Sequence, residues 1–195
     1  MKKILSIALM ALMVMPAFAG KTPKNWDFEN NDENEFVVER SFETSKADGA
    51  AAIKAVRAAM NKQTFDECTV KEEEAGQSIT YHVRKNTKNR YNPFAGMFQE
   101  YMEFDMVATY ADGKINLKLT EFILENFYAG YGAKKQRDAF SGKIDAYKDA
   151  EIKAKSGKGK EKKEAAELVE EINDSFNLCQ TELDIILNTI ESTVK

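Results

Sequence analysis

Histidine occurs once in this sequence and cysteine twice, and these scarcities exclude whole classes of chemistry. A metal site assembled from His82, Cys68 and Cys179 would gather its ligands from across more than a hundred residues, without the close spacing of a metal-binding loop. No serine or cysteine sits near His82 at a spacing recognisable as a nucleophile and its base. A phosphate-binding loop is lacking too, because Gly130-Tyr131-Gly132 has neither the lysine nor the spacing. Lysine and arginine number 28 against 32 acids, so the basic footprint of a nucleic-acid binder is absent. Past the first nineteen residues, no apolar run approaches the roughly twenty residues a membrane-spanning helix needs.

What is present begins with an export signature. Lys2 and Lys3 precede an apolar stretch over 4–15, interrupted only by Ser6, and then come Pro16 and Ala17-Phe18-Ala19. That order marks a cleavable secretory signal, with cleavage between Ala19 and Gly20. The apolar stretch would rise only about 18 Å as a helix, too short for a span. No cysteine follows the cleavage point to carry lipid. The expectation is an exported chain, periplasmic or extracellular, without a transmembrane anchor once 1–19 are removed. Subtracting nineteen residues and two lysines leaves 176 residues of net charge −6, enough for one domain with its own core. In an oxidising compartment Cys68 and Cys179 read either as one disulfide or as two small buried hydrophobes that never meet.

Residues 20–34 form a polar leader rich in Asp, Glu and Asn, whose spacing does not fit a calcium loop. A strand follows over 35–44, with Phe36, Val38 and Phe42 on one face and Arg40 intruding on it. Ser45 and Asp48 resemble a capping box ahead of an alanine-rich helix over 47–62 that buries Ile53, Val56 and Met60. Period-two alternation then gives two hairpins. The first turns at Gly76 between strands over 68–75 and 77–85. The second turns at Asp112-Gly113, a dipeptide favoured in type I′ turns, between strands over 101–111 and 114–127. The alternation slips at 121–124, where a bulge is expected. One apolar face per strand predicts an antiparallel sheet covered on one side.

The period then changes to three and four. Residues 133–155 read as one helix and 161–193 as another about 48 Å long, broken from each other at 156–160. Strands of about six residues, some 20 Å, would leave the last helix overhanging or kinked. Residues 134–163 hold eleven bases and five acids, and 164–195 hold eight acids and one lysine. Opposite signs predict an antiparallel hairpin in which charge sets pairing preference and the apolar stripe supplies stability.

The resulting order, β-α-β-β-β-β-α with a long C-terminal helical hairpin, is an α+β arrangement that resembles the TBP-like fold. Phe36-Val37-Val38-Glu39, the helix ending near Met60 and the Glu74-Ala75-Gly76 turn carry the likeness. So do the strand from Tyr101 to Tyr110 and the turn Asp112-Gly113-Lys114 into Ile115-Asn116-Leu117. With the signal, the chain resembles the secreted domain of unknown function with a TBP-like fold found in envelope proteins of Gram-negative gut bacteria. The resemblance covers 35–127 and implies a fold and a location. It implies no catalytic or binding residue, and fold alone transfers no TATA-element binding. The expected organisation is a TBP-like domain over 35–132 with a helical hairpin over 133–195.

Candidate sites are few. His82 reads as a bystander on the polar face of its strand, and Glu72-Glu73-Glu74 as a solvated shoulder whose neighbours point to opposite faces. Residues 86–99 read as a long loop carrying Tyr91, Phe94, Met97 and Phe98 beside Lys88 and Arg90; Phe127, Tyr128 and Tyr131 form a second aromatic cluster. Either set makes partner or ligand contacts, or caps the open end of the core. The expected function is an exported non-enzymatic envelope module, using no cofactor, that binds a protein partner or a second copy of itself. The alternative is a carrier or sensor of a small apolar ligand held between sheet and helices.

Overall fold

Alternating side chains with one apolar face per strand must be roofed on that face, and helices do so here. The structure, a computed structural model, describes residues 36–93, 96–129 and 133–195. The elements in order are β1 (Val38–Glu43), α1 (Gly49–Asn61), β2 (Glu67–Glu74), β3 (Ser78–Asn92), β4 (Gly96–Ala111), β5 (Lys114–Ala129), β6 (Lys134–Ala139), α2 (Phe140–Ser156) and α3 (Gly159–Val194). All neighbouring strands pair antiparallel in the order β1-β5-β4-β3-β2, with β6 also on β5. The fold is α+β.

The Asp112-Gly113 turn has positive φ at both residues, 51° and 75°, as a type I′ hairpin requires. The bulge falls at Glu121, φ 56°, opposite the shift between Glu103 and Asp105. It divides the outer edge of β5 into two lengths. β1 pairs with 114–119 and β6 with 123–128. An uncovered edge would leave backbone donors and acceptors unmet, so the polar segment Lys134–Ala139 is a strand and not the start of a helix. The sheet therefore crosses the expected boundary at 132, and the helix begins only at Phe140, which is fully buried.

β3, β4 and β5 are 15–16 residues long, about 50 Å each. The 86–99 segment is accordingly not a loop: β3 and β4 stay paired from Asn86–Tyr101 out to Asn92–Gly96, past a bulge between Asn86 and Lys88.

Asp48 is the N-cap of α1, its Oδ1 accepting from Ala51 N at 2.8 Å. Ser45 takes no part in that cap. Its backbone N–H and the Thr44 hydroxyl instead donate to Val194 O, at 3.3 and 2.6 Å, which closes the last turn of α3. Gly49 begins α1 against the Gly76 turn, where a Cβ would lie 1.9 Å from Gly76 O.

One apolar cluster runs from Phe36 to Val194. Phe36, Phe122, Phe140 and Phe176 meet in sequence at ring-centroid distances of 4.6, 5.3 and 5.2 Å, joining the sheet to both C-terminal helices. Arg40 lies on the buried face of β1, its Nε buried without a hydrogen-bond partner among the described residues.

Charge does not join α2 to α3 as expected. Among the described residues their ion pairs run within one helix, such as Lys155–Glu151 and Lys163–Glu167, from α2 to β6, as Lys143–Asp138 does, or from α3 to β3, as Lys85–Glu182 and Arg90–Asp174 do. The Arg90 contact sets Asp174 level with the far end of β3. Val169 still packs on the core, so residues 159–168 are the ones that reach past the sheet, and of them Ala165 is the one buried. The overhang is real, even against long strands.

Candidate functional site

The structure offers three surfaces: the face of the sheet opposite the helices, the far end of the molecule, and a cleft beside α1.

On the helix-free face, alternate residues of β3, β4, β5 and β6 bring cations and carboxylates together. Arg84 Nε lies 3.2 Å from Glu103 Oε1 and its Nη2 2.8 Å from Glu125 Oε1. Lys135 and Arg137 approach Glu125 Oε2 at 2.7 and 3.1 Å, and Arg137 also pairs with Glu103. The Arg84 guanidinium stacks 3.5 Å from the centroid of the Tyr101 ring. These long side chains leave Glu103 and Glu125 only 3% and 1% exposed on a face that no helix covers. Burial alone would favour the protonated Glu125; hydrogen bonds from Lys135 and Arg84 outweigh it and hold its pKa below the usual carboxylate value.

His82 stands on the polar face of its strand, as expected, and has a partner there. Its Nδ1 lies 2.9 Å from Asp105 Oδ1, while Lys71 Nζ lies 2.5 Å from Asp105 Oδ2. Burial of Asp105 opposes its charge, but hydrogen bonds from Lys71 and His82 prevail and lower its pKa. Sequence reasoning missed these two networks because their members are spread over five strands, β2 to β6; their shared face could be found only once register was known. Glu73 pairs with Arg57, and all of β2 is exposed, so Glu72-Glu73-Glu74 form no facing acid pair.

Under α3, Glu100 is 1% exposed and is met by neutral donors, Ser175 Oγ at 2.6 Å and Thr87 Oγ1 at 3.1 Å. Ser175→Ala should cost about 1–2 kcal/mol, because the buried Glu100 side chain loses one of its hydrogen-bond partners. Chemical denaturation of both proteins at neutral pH checks this.

The two cysteines are free thiols. Cys68 lies exposed on β2 and Cys179 is buried in α3, and burial raises the pKa of each. The disulfide reading is thereby corrected: Cys179 is a core residue and Cys68 lines a cleft.

Among the described residues the two aromatic clusters meet at one end of the sheet but are divided between its faces. Pleat and register place Tyr91, Met97 and Phe127 on the helix-free face and Phe98 and Tyr128 on the other. Phe98 and Tyr128 pack at 4.9 Å between centroids. Tyr91 is 74% exposed, Met97 43% and Tyr128 42%. Phe94, Tyr131 and the cleavage pair Ala19–Gly20 lie outside the described residues.

A cleft of about 330 Å³ opens between the end of α1, the 62–66 connection and β2. β2 extends beyond the roof that α1 makes, so Cys68 and Val70 face open space on the helix side. Met60 and Phe65 supply apolar wall, and Arg57, Asp66 and Glu67 also line it. Tyr81 is 3% exposed, and its hydroxyl has no hydrogen-bond partner among the described residues; nor does the buried Nε2 of Gln63. Burial pushes the Tyr81 pKa up to about 12, so the phenol keeps its proton. No group of three or more His, Cys, Asp or Glu able to hold a metal occurs among the described residues, and none of their helices is long and apolar enough to cross a membrane.

A single antiparallel sheet roofed on one face, with a strand and helix leading into consecutive hairpins, defines an α+β protein of TBP-like fold. A crystal structure of a TBP-like protein from Parabacteroides distasonis shares it, with a TM-score of 0.50 and 10% identity over 82% of this chain and 95% of that one. A DUF4468 family protein from Bacteroides ovatus overlaps less, with a TM-score of 0.39 and 9% identity over 54% of this chain and 61% of that one. Identity this low speaks for architecture alone. No family model and no curated protein matches the sequence.

Proposed function

We propose that this chain is an exported, non-enzymatic envelope module that binds a protein, either a partner or a second copy of itself, through the far end of the molecule. The reading rests on one observation: exposed apolar side chains of two origins gather there. The strand ends contribute Tyr91, Met97 and Tyr128; the helical overhang contributes Ile152, 63% exposed, and Leu168, 41% exposed. The ion pair between Arg90 and Asp174 ties these two sources to one end. Six lysines between 153 and 163 flank the overhang, three of them, Lys155, Lys160 and Lys163, paired with glutamates of their own helices. Aromatic residues beside cations are the usual anchors of such contacts.

The alternative of an apolar ligand held between sheet and helices receives less support. That layer is filled by Phe104, Met102, Met106, Phe176 and Leu183, each below 2% exposed.

A photo-crosslinking amino acid placed at Tyr91 or Leu168 should give a discrete adduct in living cells. The same group at Thr109, near the opposite end of β4, should give none. Absence of an adduct at both test positions, with a monomeric mass in sedimentation, would refute this reading.

A further inference from the structure

We infer that the outer edge of β2 takes up an extended segment of a partner polypeptide as an added strand, one in which lysine or arginine alternates with apolar residues. β2 ends the sheet, with a strand on one side only. At eight residues it is longer than β1 or β6, of six each, which lie along the opposite edge. Among the described residues its backbone bonds only within the β3 ladder and to Gln77 N at the turn. Such an edge keeps donors and acceptors that a further strand can satisfy. Lysine is a usual guard against edge pairing, but Lys71 is the only one in β2, and Asp105 draws its ammonium onto the sheet face.

The side chains fix the chemistry of the occupant. Register places Glu67, Glu72 and Glu74 on the helix-free face, and Cys68 and Val70 on the helix side opposite Val83 and Tyr81. Those three glutamates take part in no ion pair among the described residues, whereas the cations nearby are engaged, Arg57 by Glu73 and Lys71 by Asp105. Opposite charges across a strand pair are favourable and like charges are not. The edge therefore rejects a second β2, and also the chain's own residues 27–35, which hold Asp27, Glu29, Asp32, Glu33 and Glu35. A cationic strand fits. On the helix side Val70, 43% exposed, borders the cleft that Phe65 helps to wall, and the apolar residues of the incoming strand lie beside it. The site stands apart from the far-end surface and does not depend on it.

The probe is the peptide acetyl-KVKVKVKV-amide. KKVVKKVV has the same composition without the alternation, and EVEVEVEV reverses the charge. In hydrogen-exchange NMR of the ¹⁵N-labelled protein, the alternating peptide should slow exchange at those amides of 67–74 that point away from β3. Both comparison peptides should leave them exchanging freely. Glu72→Gln with Glu74→Gln should weaken the alternating peptide about fivefold, the sum of two cross-strand charge pairs. Val70→Lys should weaken it as well, because it sets a like charge against the apolar side of the added strand. All three positions are exposed, so an unchanged melting temperature is expected of both variants. The proposal is overturned if the alternating peptide leaves those amides unprotected, if either comparison peptide protects them equally, or if either variant binds as tightly as the natural protein. Protection of the same amides before any peptide is added also overturns it, because a second copy or the chain's own leader then holds the edge.

Discussion

Replacing Arg84 with methionine should lower stability by about 3 kcal/mol, the scale for removing one partner from a buried ionic cluster, or about 10 °C in melting temperature for a domain of this size. Arg84 is the only cation of the cluster that touches Glu103, Glu125 and Tyr101 together. Methionine keeps most of the volume, so the loss reports charge and stacking rather than a cavity. Adding Glu103→Gln should recover part of it, because one of the two stranded carboxylates is then neutral. Equal stability of Arg84→Met and the natural protein in urea would show that Arg137 and Lys135 suffice alone.

Glu125 of this cluster and two carboxylates outside it set the response to acid. Glu125, Asp105 and Asp138 all have pKa values lowered by folding. Burial opposes the shift at the first two and is outweighed by their basic partners, while at Asp138 the hydrogen bond from Lys143 leads. A depressed carboxylate contributes stability above its unfolded pKa, near 4, and that contribution is lost as pH falls through the folded value. Melting temperature should therefore drop as pH is taken from about 5 to about 3. The gap between the natural protein and Arg84→Met should narrow over the same range.

Gly49→Ala is the second substitution with a large expected effect. The φ of Gly49 is ordinary, so the demand is for space: an added Cβ would meet Gly76 O at 1.9 Å and Tyr110 Cδ1 at 2.9 Å. A backbone oxygen cannot rotate away, so α1 or the β2–β3 turn must move, at a cost near the top of the overpacking range, about 3 kcal/mol. Gly142→Ala in α2 is the matched control. Nothing lies within 4 Å of its Cβ, and alanine there should gain about 0.5–1 kcal/mol from helix propensity. Denaturant unfolding of the pair separates crowding from any general effect of added methyl groups.

The fold was legible wherever one face of an element is buried. Ile79, Tyr81 and Val83 announce β3, and Met102, Phe104 and Met106 announce β4, because alternation follows burial. Legibility failed where both faces meet water. Residues 86–92 and β6 are polar on both sides, so they carried no period, and strand there is dictated by the partner's unpaired backbone. The bulge between Asn86 and Lys88 also breaks the phase that would have linked 86–92 to the strand before it. The candidate surfaces divide on similar lines. Tyr91, Met97 and Tyr128 could be singled out as apolar residues in polar surroundings. The cleft could not, because α1, the 62–66 connection and β2 meet around it only in three dimensions.

The seal between Thr44 and Val194 bears on how the molecule is made. These residues lie 150 positions apart, and the carbonyl that the hydroxyl reaches belongs to the final turn of α3. Loops of that span form late, since their closure entropy must be met before the contacts reward it. The last turn of α3 must thus be made before β1 finds this neighbour, and until then that end of its buried face lacks its cover. A chain with this wiring keeps its two ends apart longer than one built from local hairpins alone.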